Sequence, residues 1–172
     1  MRYQSLARSP LLGLVAVLFA CGAPPLAPLS AHLLDYGIVE PVGPQQKVVD
    51  ETSATGFRYH GDSRITSHTA VVLGKQGVAF GISFRIDGVP RFTPVQIAQV
   101  IRHPPMKLPD GSVIQEQISY QPVRSREGSV LGKLFYTLRE PHEVVPGNWS
   151  ISIMDGNRLL LEQKFVLQPP PK

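Results

Sequence analysis

The chain has 172 residues, with 17 Lys and Arg against 13 Asp and Glu; 42% of residues are hydrophobic and 17% are charged. That composition is too apolar and too weakly charged for a disordered chain, and the length is too short for most multidomain enzymes. Seventeen prolines and 15 glycines without a period exclude collagen and argue against long helices, and one cysteine excludes an internal disulfide framework and a multi-cysteine zinc site.

Residues 1–20 read as a signal peptide. Arg2 and Arg8 supply a positive n-region, and residues 11–20, LLGLVAVLFA, form an unbroken apolar run. Ten residues suit an h-region and fall short of the roughly 20 needed to span a bilayer. Leu18-Phe19-Ala20-Cys21 then resembles the bacterial lipobox, with Leu at −3, a small residue at −1 and the only cysteine at +1. The expectation is lipid attachment at Cys21. The second reading is a plain cleaved signal peptide, and cleavage after Ala20 exposes Cys21 in both. Gly22, which is not acidic, points to the periplasmic face of the outer membrane under the enterobacterial sorting rule; without a lipid the protein is soluble in the periplasm. Removing residues 1–20 deletes two arginines and no acid, so the exported chain is nearly neutral. A nucleic-acid partner is not expected of such a domain.

Residues 21–31 read as a proline-rich tether, with GAPPLAPLS at 22–30 in polyproline-like conformation. Residues 32–168 suffice for one domain that buries roughly two-thirds of its unfolded surface. Residues 169–172, PPPK, read as a flexible tail.

Within 32–168 the dominant period is two. Val78, Phe80, Ile82, Phe84 and Ile86 share one face of a strand, and Ala79, Gly81, Ser83 and Arg85 the other. Residues 148–154 place Trp149, Ile151 and Ile153 inward. Residues 159–167 place Leu159, Leu161, Phe165 and Leu167 on one face, and Asp155-Gly156-Asn157 reads as the hairpin turn between the two. Further strands are expected at 33–39, 64–73, 94–102, 113–121 and 130–138, separated by turns such as Asp87-Gly88-Val89-Pro90 and Pro109-Asp110-Gly111. Seven to eight short strands predict a single all-β, antiparallel β-sandwich.

The order of four groups carries a resemblance: Asp35-Tyr36-Gly37-Ile38; Phe84 to Gly88; Arg102-His103-Pro104-Pro105 with Pro109-Asp110-Gly111; and Glu143 to Trp149 with its Pro-Gly-x-Trp element. It resembles an uncharacterised family of exported bacterial proteins, a domain of unknown function, over about residues 33–167. The resemblance implies an immunoglobulin-like sandwich behind a signal peptide, and it implies no catalytic residue or cofactor.

Arg102 and His103 are the first candidates for binding. Arg supplies a planar fork for carboxylate or phosphate, and His can change charge near neutrality. The structural reading is that Pro104 and Pro105 end the strand and the two side chains pair locally. Trp149 is either a sugar-stacking platform or, better matched by its alternating strand, a core anchor. His60, Asp62 and His68 have loosely metal-like spacing without a third close ligand, and no metal is expected. His142-Glu143 lacks the second His of a zincin, and Gly128 to Lys133 is one residue short of a phosphate loop. Arg124 and Arg126 read as solvated loop charges. No serine-nucleophile motif occurs in the mature chain.

The leading expectation is therefore a non-enzymatic binding module of the cell envelope, with an envelope protein or glycan as partner, lipid-anchored through Cys21, without cofactor or catalytic residues. An envelope hydrolase built from His60, Asp62 and His103 is one alternative, and a strand-pairing, chaperone-like structural protein is another.

Overall fold

The computed structural model describes residues 28–49 and 57–169, with the main chain alone for residues 45 and 57–61. The leader, Cys21 and the expected tether up to residue 27 lie outside the described residues, as do residues 170–172 and 50–56.

Among the described residues nine strands make two facing sheets: β1 (Ser30–Val49), β2 (Phe57–Ser67), β3 (Val71–Leu73), β4 (Ala79–Asp87), β5 (Val95–Lys107), β6 (Val113–Val123), β7 (Ser129–Thr137), β8 (Gly147–Asp155) and β9 (Arg158–Gln168). One sheet has the order β2-β1-β4-β7, the other β3-β9-β8-β5-β6. The expected β-sandwich is present. Its extra strand arises within 64–73, expected as one strand. The chain crosses between sheets at Thr69-Ala70, so β2 pairs with β1 and β3 pairs with β9, the latter in parallel.

The core follows the alternation of the sequence. Phe80, Ile82, Phe84 and Ile86 on β4 face Trp149, Ile151 and Ile153 on β8 and Phe165 and Leu167 on β9, all nearly inaccessible. Trp149 is 1% exposed and meets the Phe80 ring edge-on at 5.6 Å. Its Nε1–H donates to the Val145 carbonyl at 2.9 Å, which satisfies the one polar atom that burial would otherwise strand. Trp149 is a core anchor and offers no platform to a sugar. Gly156, at φ 55°, turns the β8–β9 hairpin as expected. Leu159 is 52% exposed, against expectation. A register shift after Ile153 sets Leu159 opposite Met154, on the outer face.

β1 departs from plain alternation. A bulge at Leu34 puts Leu33 and Tyr36 inward and turns Asp35 outward. The strand starts at Ser30 and Leu29 is buried, so the end of the proline-rich stretch already belongs to the domain. Beyond Val39 the pairing with β4 ceases, and β1 continues with β2 alone as a two-stranded ribbon. A second register shift, between Val42 and Gln46, holds Gly43 at φ 83° and Pro44. Such bulges bend a strand and increase its twist.

Candidate functional site

Arg102 and His103 do not form one site. β5 does not end at Pro104-Pro105; it bulges there and pairs again with β6 at Met106. Proline is tolerated at a bulge because no ladder donor is needed there. Strand alternation then sends the two side chains to opposite faces. Arg102 lies outside, 3.3 Å from Glu116 on the neighbouring strand. His103 lies inside, 5% exposed, its ring 4.9 Å from the Trp149 indole. Nδ1 is 2.8 Å from the Pro104 carbonyl, which can only accept, so Nδ1 carries the proton. Nε2 is then an acceptor without a partner. Burial pushes the His103 pKa down from its ordinary value, partly opposed by the Pro104 carbonyl and by the nearby Glu143.

The two most specific motifs of the sequence therefore interlock. Gly147, at φ 133°, has no Cβ where one would stand 2.8 Å from Pro104 Cγ. Pro-Gly-x-Trp and Arg-His-Pro-Pro are two halves of one packing arrangement. Glu143, which the sequence left without a role, completes it. Its buried carboxylate accepts from the Tyr136 hydroxyl at 2.8 Å and from the backbone N–H groups of Arg139 and Glu140. Gln117 Nε2, from the opposite sheet, donates to the same hydroxyl at 3.2 Å. Burial, chiefly, raises the Tyr136 pKa far above the phenol range, and Glu143 adds to it.

The proposed hydrolase set is dispersed. Asp62 lies on β2 and His103 inside β5 of the other sheet, while the side chain of His60 is outside the described residues. His68 is 2.7 Å from Asp35. Among the described residues no cluster of three or more His, Cys, Asp or Glu is placed to hold a metal.

A different site is assembled on the outer face of the four-stranded sheet. β2 and β7 are its two edges, with β1 and β4 between them. Three strand spacings separate such edges by about 14 Å on a flat sheet. Yet Lys133 Nζ of β7 donates to Asp62 Oδ1 of β2 at 3.0 Å and to the Ser63 carbonyl at 2.9 Å. The bent ribbon thus folds back over its own sheet, and this pair latches it. Lys133 beside Asp62 holds the carboxyl below its ordinary pKa, helped by the Ser63 N–H.

Beneath the ribbon is a groove of about 390 Å³, lined by Asp35, Ser83, Lys133 and Phe135 below and by Val42 and residues 62–65 above. Its floor is two cross-strand rows, Asp35–Ser83–Lys133 and Gly37–Gly81–Phe135. The second row explains the depth. A Cβ on Gly81 would fall 2.5 Å from Phe135 Cδ1, so the ring occupies the room that glycine leaves. Asp35 Oδ1 is fixed by His68 and by the Tyr36 N–H at 2.7 Å. Arg64 has no ion pair among the described residues, and the Ser83 hydroxyl has no hydrogen bond there. Asp62 had been singled out in the sequence for a different set, and the outward Gly81 with Pro41, Gly43 and Pro44 were the signals that could have pointed to the groove.

A family model described as a domain of unknown function, DUF3859, matches residues 30–167. A solved structure of an immunoglobulin-like protein from Pseudomonas aeruginosa is 22% identical, with a TM-score of 0.61, over 84% of this chain and all of that one. At that identity the likeness shows an immunoglobulin-like fold. An alkylpurine DNA glycosylase from Pseudomonas fluorescens, bound to DNA with an abasic site analogue, reaches a TM-score of 0.41 at 13% identity, over 58% of this chain and 28% of that chain, and carries no argument. No curated protein matches the sequence.

Proposed function

The chain belongs to the DUF3859 family, and from that premise we propose a non-enzymatic binding module of the bacterial envelope, tethered by lipid on Cys21, whose latched groove receives a saccharide. The carrying observation is the kind of groups the groove presents. Its floor lies on a sheet whose main-chain donors and acceptors are already paired between strands. A peptide that reads a protein through backbone ladders finds no partner there. Recognition falls to side chains: the Asp35 carboxylate, the Arg64 guanidinium, the Ser83 hydroxyl and an apolar wall of Phe135, Ile65 and Val42. Sugar hydroxyls both donate and accept, and pyranose C–H faces suit an aromatic wall. The volume is within the range of small-ligand sites.

The lipid tether rests on Leu18-Phe19-Ala20-Cys21 behind an apolar run. Titration of the labelled protein with chitotetraose and with a tetrapeptide, followed by amide NMR shifts, tests the groove. Shifts at Ser83, Phe135 and Arg64 with the sugar, lost in Arg64→Ala and Phe135→Ala, support it. Shifts with the peptide alone, or sugar shifts that survive both substitutions, refute it.

A further inference from the structure

The end of the sandwich opposite the Trp149 cluster carries a second arrangement. Phe92, in the β4–β5 loop, is 75% exposed and holds φ at 61°. A bulky aromatic residue is disfavoured in that conformation, and such strain persists only where surrounding contacts impose it. Here they are explicit. The Phe92 N–H donates to the Ser125 carbonyl at 3.0 Å, and Val89, itself buried, donates to Gly128 at 3.0 Å. Ser125 is buried, and its hydroxyl donates to the Ser129 carbonyl and accepts from the N–H groups of Glu127 and Gly128. Two loops are thereby tied together, and they present a largely exposed ring.

Three arginines lie in the same two loops. Arg91 forms a bridge with Ser125, so it stands beside Arg124 and Arg126. All three are exposed and none has an ion pair among the described residues. Other charges at this end are accounted for. Asp87 is held by Arg85 at 3.0 Å and His32 at 3.4 Å, Asp155 by Arg158 at 2.8 Å, and Glu127 is the remaining acid. The chain also enters the domain here: Ser30 is opposite Asp87, which is opposite Ser129. The described chain therefore begins at the end that bears Phe92.

We propose that this end is a membrane-contact surface, with Phe92 entering the interfacial zone of a bilayer and Arg91, Arg124 and Arg126 meeting the phosphates of anionic phospholipid headgroups. Aromatic rings favour the interface, and the guanidinium fork matches phosphate. Each arginine is worth about fivefold in partition onto an anionic leaflet. The surface acts with or without a lipid on Cys21, but a lipid there would press this same end to the membrane.

The test uses the chain from residue 21 onward with Cys21→Ser, which contains every described residue. It is sedimented with vesicles of phosphatidylcholine, and with vesicles of equal parts phosphatidylcholine and phosphatidylglycerol. The expected result is partition onto the anionic vesicles alone, weakened by salt. Joint substitution Arg91→Ser, Arg124→Ser and Arg126→Ser lowers it about 100-fold. Phe92→Gly lowers binding while leaving the melting temperature equal or higher, because glycine accepts the positive φ; an aromatic ring present only for structure would not behave so. No partition onto anionic vesicles, or equal partition by the triple variant, overturns the proposal. Capture by soluble heparin without capture by vesicles also overturns it and assigns the surface to an acidic polymer.

Discussion

His103 lies against Trp149, ring centroids 4.9 Å apart and planes inclined at 37°, with its Nε2 sealed from water and without a donor. A residue that the sequence offered as a rim contact is part of the core that the lone tryptophan organises. The pair bears on how the fold responds to acid.

Stability falls on acidification below about pH 6.5, the ordinary histidine value. Burial, the main cause, lowers the folded-state pKa of His103. The unfolded chain then binds its proton first, so the stabilisation is complete above the unfolded value and is lost as pH falls toward the folded one. Thermal melts of His103→Phe from pH 7.5 to 5 will show a shallower decline than wild type. An identical slope places the acid sensitivity elsewhere.

Trp149→Ala costs about 3–5 kcal/mol, the usual consequence of emptying a large aromatic site in a core. Because domains of this size are stable by about 5–15 kcal/mol, urea denaturation will show a much lower midpoint or no native baseline.

Glu143→Gln costs about 1–3 kcal/mol, although it changes no volume. The carboxylate serves three donors, and an amide in its place has only one oxygen for them. Equilibrium unfolding of Glu143→Gln and Tyr136→Phe, alone and together, will give less than additive losses, since both act on the same hydrogen-bonded network.

Gly81→Ala destabilises by about 1–3 kcal/mol through overpacking, because its Cβ would run into the Leu134 carbonyl oxygen and fall 2.7 Å from Phe135 Cα. Phe135→Ala in the same chain frees the ring's space but not the backbone contact, so the double variant recovers part of the loss. Full recovery would show that the side chain alone was in the way.

Mass spectrometry of membrane-fraction protein will find a diacylglycerol adduct on Cys21, and Cys21→Ala will move the protein to the soluble fraction. An unmodified cysteine on a fully soluble wild-type chain disproves the lipid anchor.

The legible parts of the fold were the strands without bulges. β4 pairs with β7 without a register shift, and its alternating Phe80, Ile82, Phe84 and Ile86 were read correctly. β1 and β5 were read too short where bulges carry a strand onward: β1, expected at 33–39, runs on through the shift between Val42 and Gln46 to Val49, and β5, expected to stop at Arg102, runs on through Pro104-Pro105 to Lys107. Period-two reasoning assumes that every residue advances the pleat, and a bulged residue does not. The groove was hidden for a related reason. Asp62 and Lys133 are 71 residues apart, and only the curl of a ribbon brings them together. Nothing local in either neighbourhood encodes that meeting.

The crossing at Thr69-Ala70 sets the order in which the domain can be finished. β3 has β9 as its one neighbour, and Val71 is matched with Val166. Until the last strand has been delivered, Val71 to Leu73 dangle from a half-built molecule and the core stays open along β8. Closure so dependent on distant partners is slow. A chain in which β9 is not yet paired would stay loose along this seam, and would lock only when Val71 meets Val166.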